Sequence, residues 1–278
     1  MTFLAIVIVF ALVQYWGSAD PAHNDGWYRS WGRTVQGWGL GAEMQLLLQL
    51  SLPLLLLWWV LDMLADISSW LLFAAYIPVL LYSLGRGDFV EWVKGYTDAF
   101  HRNDNETATE YASRLGVDVS ETDNWDDLHH QVLRQASYRG LERWFIAIFW
   151  FVLLGPVGAV LYRLTSLGAT HEEQGEESRE LSLRLMWLLE WPVARLLGLS
   201  FALTGNFVGC FSRWREHFFC VDQSTQRVME HYVHGALNVN DQELTLDGVT
   251  EQEVEALVPL LSRSLMLWLC VLALLSLL

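Results

Sequence analysis

Three groups of charged and polar side chains in this sequence could bind an anion. The first is Arg102-Asn103-Asp104, which lies between two amphipathic segments. Asn103 or Asp104 is a typical helix N-cap. An arginine beside a helix start could also hold an anion or a metal-bound phosphate. Because a cap alone does not require Arg102, both interpretations stay open.

The other two groups lie in apolar segments. Tyr162 and Arg163 end one long apolar run, and Glu190 and Arg195 interrupt a later one, with Pro192 between them. An ionisable residue at membrane depth is costly, so it marks a function or has a partner. The alternatives are an ion pair that fixes helix register, an anion site, and side chains that extend to the interface. The candidate ligand-binding residues are Arg102, Asn103, Asp104, Tyr162, Arg163, Glu190 and Arg195.

Metal and nucleotide chemistry have little support in the sequence. His129 and His130 are adjacent, so on a helix they point about 100° apart, and His231 and His234 lack a third ligand at metal-site spacing. We therefore predict no metal site. The P-loop, H-E-x-x-H and G-x-S-x-G motifs are absent from the sequence. No motif identifies a cofactor or a catalytic residue.

Several apolar runs could form the membrane helices that position these residues. Runs without Asp, Glu, Lys or Arg cover residues 1–19, 44–61, 67–85, 144–162 and 264–278. The first four are long enough to cross a bilayer core of about 30 Å, and the last can extend over residues 257–263. Residues 181–207 are a sixth candidate, broken or re-entrant at Pro192. No basic residue precedes the first run, which favours a retained helix over a signal peptide.

The composition agrees with a membrane protein. The chain of 278 residues is 53% hydrophobic and 18% charged, against about 25% charged in soluble domains. Its 17 basic and 32 acidic residues argue against nucleic-acid binding. We predict an all-α polytopic membrane protein with five or six membrane helices and helical cytoplasmic insertions. The expected partners are the lipid bilayer and a small anionic ligand. The Trp-rich apolar surface fits lipid contact and a homo-oligomer equally well.

The distribution of charge suggests a division of the chain. Residues 1–85 hold membrane helices one to three, 86–143 an acidic helical cytoplasmic loop, 144–207 helix four and the broken segment, 208–262 a cytoplasmic helical region, and 263–278 the C-terminal membrane helix. The positive-inside rule places the 86–143 loop in the cytoplasm and the 62–66 turn outside. The orientation of the C-terminal half depends on whether residues 181–207 span.

The middle loop is predicted to be helical. Apolar residues recur at helical spacing in residues 88–100 and 105–115, and Gly116 is a typical helix end. Residues 125–143 are predicted to continue directly into the fourth membrane segment.

Three separated stretches resemble the AmpE family of inner-membrane proteins, which are encoded in the chromosomal β-lactamase regulatory locus of Gram-negative bacteria. They are residues 102–104, 144–163 and 190–196. Length and segment order agree with that family from end to end. The resemblance implies a multi-pass protein of the bacterial inner membrane with a signalling role in β-lactamase induction and peptidoglycan recycling.

The AmpE family is in turn similar to CobD/CbiB proteins, which form an amide bond to adenosylcobyric acid. The pattern Gly-x-x-Gly-Ala-x-x-Tyr-Arg is present at residues 155–163, and Pro-x-Arg-Leu is matched at 192–196 with one extra residue. The synthase's Asn-Thr-Leu-Asp is replaced at 164–167, and its Glu-Asn…Asp stretch at 139–143. The resemblance thus implies the synthase scaffold without those carboxylates. An enzyme acting on an anionic substrate at the cytoplasmic face and a carrier of a small anionic metabolite remain the alternatives.

Overall fold

The computed structural model of the protein describes residues 2–16, 25–85, 87–121, 124–170, 175–237 and 251–277. Every regular element in these ranges is helical, which confirms the predicted all-α fold. The helices are α1 (Thr2–Trp16), α2 (Gly26–Gln36), α3 (Ala42–Ile67), α4 (Ser69–Ser83), α5 (Phe89–His101), α6 (Asn105–Leu115), α7 (Trp125–Gly140), α8 (Ile146–Thr170), α9 (Glu176–Thr204), α10 (Phe207–His217), α11 (Thr225–Leu237) and α12 (Glu251–Leu277).

Six helices carry the predicted membrane segments. Four stretches are long and apolar enough to span a bilayer: Ala42–Ile67, Trp125–Thr170, Glu176–Thr204 and Gln252–Leu277. The helices α1 and α4 are apolar but shorter. Large apolar side chains on α3 face outward, among them Leu55, Trp58 and Trp59. The chain is therefore a multi-pass membrane protein in contact with lipid.

Each of five apolar helices, α3, α4, α8, α9 and α12, contains one proline. The predicted break at Pro192 does not occur, because α9 continues through it. One missing N–H is tolerated in a membrane helix when neighbouring groups adjust. The interruption lies instead in α8 at Gly155, whose φ of 70° and ψ of −163° are not helical, just before Pro156.

The chain divides into two compact units, each made of two segments. The first comprises Met1–Gly87 and Ile146–Glu190, and so contains α1 to α4, α8 and the first half of α9. Its helix α8 packs against α3 and α4, and α1 packs against α4. A core of Tyr28, Leu50, Val160, Leu164 and Leu167 joins α2 to α3 and α8.

The second unit comprises Asp88–Phe145 and Trp191–Leu278. In it α5 pairs with α6, α10 pairs with α11, and α7 packs against both α11 and α12. The α10–α11 pair is closely packed: a Cβ on Gly209 would lie 2.6 Å from the carbonyl oxygen of Gly235. The close approach of the two backbones therefore requires glycine at this crossing.

The predicted loop helices are confirmed as α5, α6 and α7. Asp88 caps α5, since its carboxylate accepts a hydrogen bond from the Glu91 N–H, and Gly116 ends α6 in the left-handed conformation. A π-helical turn, Leu141–Phe145, joins α7 to α8 without a loop. Residues 238–250 of the predicted 208–262 region lie outside the described residues.

Candidate functional site

Arg163 is held by a carboxylate in the first unit. It lies on α8, and its Nη2 atom donates to Asp25 Oδ2 at 3.1 Å. Tyr82 donates its hydroxyl hydrogen to Asp25 Oδ1 at 3.2 Å. The side chains of Arg163 and Asp25 are 8% and 2% exposed. This is a buried ion pair with an additional hydrogen bond, which is the condition under which buried charge is tolerated.

Tyr162 and Glu190 form a second contact in the same unit. The Tyr162 hydroxyl donates to Glu190 Oε1 at 3.1 Å, joining α8 to α9. Earlier on α8, the Trp150 indole donates to the carbonyl oxygen of Leu189, the residue directly before Glu190, at 3.1 Å. Tyr162, Arg163 and Glu190 thus lie on neighbouring helices and are each bound to a protein partner.

Arg102-Asn103-Asp104 form the turn between α5 and α6 in the second unit. Asn103 adopts the left-handed conformation with φ of 55°. The N–H of Asp104 bonds to the Ala99 carbonyl and that of Asn103 to the Phe100 carbonyl, which is the Schellman pattern of a helix end. The Asp104 carboxylate then accepts from the Thr107 N–H at 3.2 Å and so caps α6. Hydrogen bonding from the Thr107 side chain, and then from its backbone N–H, lowers the pKa of Asp104. The three residues close one helix and open the next.

Arg195, on α9 in the second unit, is buried without a carboxylate partner among the described residues. Its Nε atom donates to the Phe218 carbonyl at 3.3 Å, and Nη2 donates to the Cys220 carbonyl at 2.9 Å. The guanidinium carbon lies 4.8 Å from the centre of the Trp191 ring. Arg195 is only 3% exposed, and its Nη1 atom is buried with no hydrogen-bond partner. One charged donor therefore remains unused.

Two further unpaired donors lie in the surroundings of Arg195. The Trp191 indole nitrogen and the Tyr232 hydroxyl are both buried without a hydrogen-bond partner. The Tyr232 ring packs against α9 at Gly198, one turn beyond Arg195. Burial raises the pKa of Tyr232 to about 12, and the charge of Arg195 partly opposes that rise. The hydroxyl is therefore protonated at neutral pH and can donate.

The polypeptide fixes Arg195 from two sides. Trp214 on α10 donates its indole hydrogen to the Arg195 carbonyl at 2.8 Å. The two carbonyls that accept from the guanidinium, those of Phe218 and Cys220, lie just after the end of α10. The guanidinium of Arg195 thus has the Trp191 indole beside it and the Tyr232 ring one turn further along α9. A guanidinium held in this way suits a carboxylate or phosphate oxygen.

The predicted residues therefore form four separate arrangements, two in each compact unit. Arg163 pairs with Asp25, Tyr162 pairs with Glu190, and Arg102–Asp104 build a turn. Arg195 differs from Arg163 in having no carboxylate partner among the described residues, and its Nη1 atom is buried without a hydrogen bond. Four residues of these contacts were not predicted from the sequence: Asp25, Tyr82, Trp191 and Tyr232. For Asp25 the available signal was an acid directly before an amphipathic, arginine-bearing segment; the long-range partners carry no local signal.

The histidines take part in pairs within the second unit. His130 Nδ1 lies 2.6 Å from Glu230 Oε1, and His234 Nδ1 lies 3.2 Å from Glu253 Oε1. The rings of His217 and His231 stack in parallel with centres 4.3 Å apart. In the part of the chain that the structure describes, no group of three or more His, Cys, Asp or Glu side chains is placed to hold a metal ion.

Comparison with known proteins gives one informative similarity. The chain is 30% identical over 169 residues to the cobalamin biosynthesis protein CobD from Stutzerimonas stutzeri (strain A1501), a match that covers 59% of this chain and 54% of that protein. The chain thus spans about half the length of this curated relative. No family model matches the sequence, and no solved structure matches it. The similarity and the helical architecture together support a CobD/CbiB-like membrane scaffold.

Proposed function

We propose that this protein binds a small anionic ligand at Arg195. The observation that carries the proposal is a guanidinium that is 3% exposed, has no carboxylate partner among the described residues and keeps one nitrogen unbonded. Burying one charge without an opposite charge beside it costs on the order of several kcal/mol. An anion on the free Nη1 atom would remove that penalty, and the neighbouring indole and phenol groups would add hydrogen bonds.

The biological role that we propose is regulatory. The end-to-end resemblance to AmpE favours a signalling component of the bacterial inner membrane, linked to β-lactamase induction and peptidoglycan recycling. In support, Tyr162, Arg163 and Glu190 are engaged in internal contacts, and the carboxylate motifs of the synthase are replaced at residues 139–143 and 164–167. A bound cell-wall fragment carrying carboxylates would then be the signal.

A CobD-type enzyme is the second candidate, favoured by the 30% identity to a protein named for cobalamin biosynthesis. In that case Arg195 would bind the anionic substrate for amide formation. The purified protein in lipid nanodiscs, supplied with ATP, Mg²⁺ and cobyric acid plus an amino-alcohol phosphate, separates the two roles. We expect no amide product by mass spectrometry. If the wild type forms more amide product than an Arg195→Gln variant, the protein is an enzyme and the proposed regulatory role is wrong.

Ligand binding itself is tested by thermal unfolding in nanodiscs with three probes: a carboxylate-bearing muropeptide fragment, cobyric acid and inorganic phosphate. We expect at least one probe to raise the unfolding temperature of the wild type. In Arg195→Gln that rise should vanish, because a charge-assisted hydrogen bond is worth about 1.5–3 kcal/mol. Arg195→Lys should keep a smaller rise, since it retains the charge but loses the planar fork.

The matched control is Arg184→Gln. Arg184 lies on the same helix, but it is 73% exposed and pairs with Glu180 at 2.6 Å. It should respond to the probes as the wild type does. Equal stabilisation of the wild type and the folded Arg195→Gln variant by a probe would show that Arg195 is not the anchor. Absence of any response from the wild type to all three probes would remove the proposed ligand class.

A further inference from the structure

The helix α2 presents two different exposed surfaces beside its buried face. Tyr28, Gly32 and Val35 are buried at helical spacing against the first unit. Trp27 is 45% exposed on one side of this face, and Arg29 and Arg33 are exposed on the other. At about 100° per residue, Trp27 and Arg29 point about 160° apart. Arg33 points about 120° from Trp27, so the apolar ring and the two charges project from different sides of the helix.

This helix is locally basic in an acidic protein. The chain has a net charge of −15, yet no acidic residue occurs between positions 26 and 42, which contain Arg29 and Arg33. Neither arginine has an ion-pair partner among the described residues, in contrast to the exposed Arg114 and Arg184, which pair with glutamates four residues earlier. The positive surface of α2 is therefore available to an external anion.

The position of α2 is fixed beside the end of a membrane helix. The membrane-spanning helix α3 begins at Ala42, six residues after α2 ends. Trp38, in the connection, is 52% exposed, and its ring packs edge-to-face on Trp31 with centres 5.8 Å apart. Asp25, directly before α2, is held by Arg163 and Tyr82. The helix therefore cannot leave the boundary of the bundle without breaking a buried ion pair.

We propose that α2 is an interfacial helix that binds the headgroups of anionic phospholipids in the leaflet where α3 begins. Trp27 and Trp38 would sit at the level of the acyl–headgroup boundary, which tryptophan prefers. Arg29 and Arg33 would contact lipid phosphates from the aqueous side. The charge complementarity and the continuity with the lipid-facing surface of α3 favour a bilayer as the occupant.

The test is hydrogen exchange of the α2 amides in the full-length protein, reconstituted in nanodiscs of phosphatidylcholine with and without 30% phosphatidylglycerol. We expect slower exchange of residues 26–36 with the anionic lipid. Each arginine near an anionic surface contributes about a fivefold change in equilibrium. Exchange should therefore slow by up to roughly 30-fold in the wild type, and by about fivefold in either single variant, Arg29→Gln or Arg33→Gln.

The double variant Arg29→Gln/Arg33→Gln should show no difference between the two lipids. Both side chains are exposed, so the fold should be retained, which the exchange of α3 amides checks. Arg114→Gln is the control for loss of a surface charge elsewhere, and it should keep the full lipid difference. Trp27→Ala should speed exchange equally in both lipids. Identical exchange of wild-type α2 in the two nanodiscs, or a lipid difference that survives in the double variant, would overturn the proposal.

Discussion

At the scale of single residues, two buried arginines differ in what compensates their charge. Arg163 has a carboxylate at 3.1 Å, whereas Arg195 has two backbone carbonyls and the face of an indole ring. A full opposite charge suits a permanent structural role. Neutral carbonyls hold a guanidinium in place but leave its charge available. We therefore expect loss of Arg163 to affect folding first and loss of Arg195 to affect ligand binding.

Removing one partner of the Arg163–Asp25 pair should strongly destabilise the protein. In Asp25→Asn the guanidinium keeps its charge in a buried position, a change that costs about 3–5 kcal/mol in comparable pairs. Thermal unfolding of purified protein, together with the amount of protein in the membrane, measures the effect. Arg184→Ala removes an exposed pair and should cost only ~0–1 kcal/mol. Similar losses in the two variants would show that burial of the Asp25 pair is energetically irrelevant.

His231 should make the protein less stable at mildly acidic pH. Burial first, and then the neighbouring His217 and Arg213, lower the pKa of His231 from 6.5 to about 4, against the opposing effect of Glu230 and Glu216. The unfolded chain therefore binds more protons than the folded chain between these values. The contribution of neutral His231 to the free energy of unfolding is fully present above pH 6.5 and is lost as the pH drops towards 4.

Chemical unfolding at pH 7.5 and pH 5.0 measures this dependence. The wild type should lose stability between the two values, and His231→Asn should lose less. Asp104 and Asp118 have lowered pKa values, so their stabilising hydrogen bonds are lost at lower pH than this window. A pH dependence that is unchanged in His231→Asn would assign the effect to other groups.

At the scale of the elements, local chemistry determines where the loop helices begin and end. Asp88 and Asp104 cap α5 and α6, and Gly116 ends α6. The sequence predicted the cap at Asn103 or Asp104 and the end at Gly116, because capping depends on a few consecutive residues; Asp88 was predicted only to begin a helical stretch. Pro192 was misjudged for the opposite reason: whether a proline breaks a helix depends on which groups surround the freed carbonyl, and these come from distant parts of the chain.

The turn at Asn103 gives a prediction about elements. A non-glycine residue in the left-handed conformation costs about 1–2 kcal/mol, a cost that asparagine partly offsets through local hydrogen bonds. Asn103→Ala should therefore destabilise the protein by about 1 kcal/mol, while Asn103→Gly should be neutral or stabilising. Thermal unfolding gives the order of the three proteins. If the turn instead holds the ligand, both variants should lose the response to the ligand at unchanged stability.

At the scale of the whole molecule, the sequence predicted the class of fold and the apolar segments but not how the candidate residues are combined. Apolar runs and loop helices are local properties. The pairing of Arg163 with Asp25 joins positions 138 residues apart, and no periodicity indicates it. The division of the predicted site residues between the two compact units is likewise a property of the folded chain alone.

The orientation predicted from the basic residues can be tested directly. In a variant lacking the three native cysteines, a cysteine at position 66 or 98 is offered to a membrane-impermeant maleimide on intact cells. Asp66 and Asp98 are both exposed. The positive-inside rule predicts labelling at 66 from outside and at 98 only after permeabilisation. The opposite labelling pattern would show that the first half of the chain has the reverse of the predicted orientation.

The Asp25 ion pair also has a consequence for biosynthesis. A ribosome delivers the N-terminal part of a chain first, so Asp25 and Tyr82 reach the membrane before α8 is made. When Arg163 enters the membrane, its acceptor Asp25 has already been synthesised. The guanidinium therefore does not have to remain unpaired in lipid until a later segment is made. Arg163 would oppose the insertion of α8 as an isolated helix. Because Asp25 is translated first, Arg163 can form its ion pair as soon as α8 is inserted.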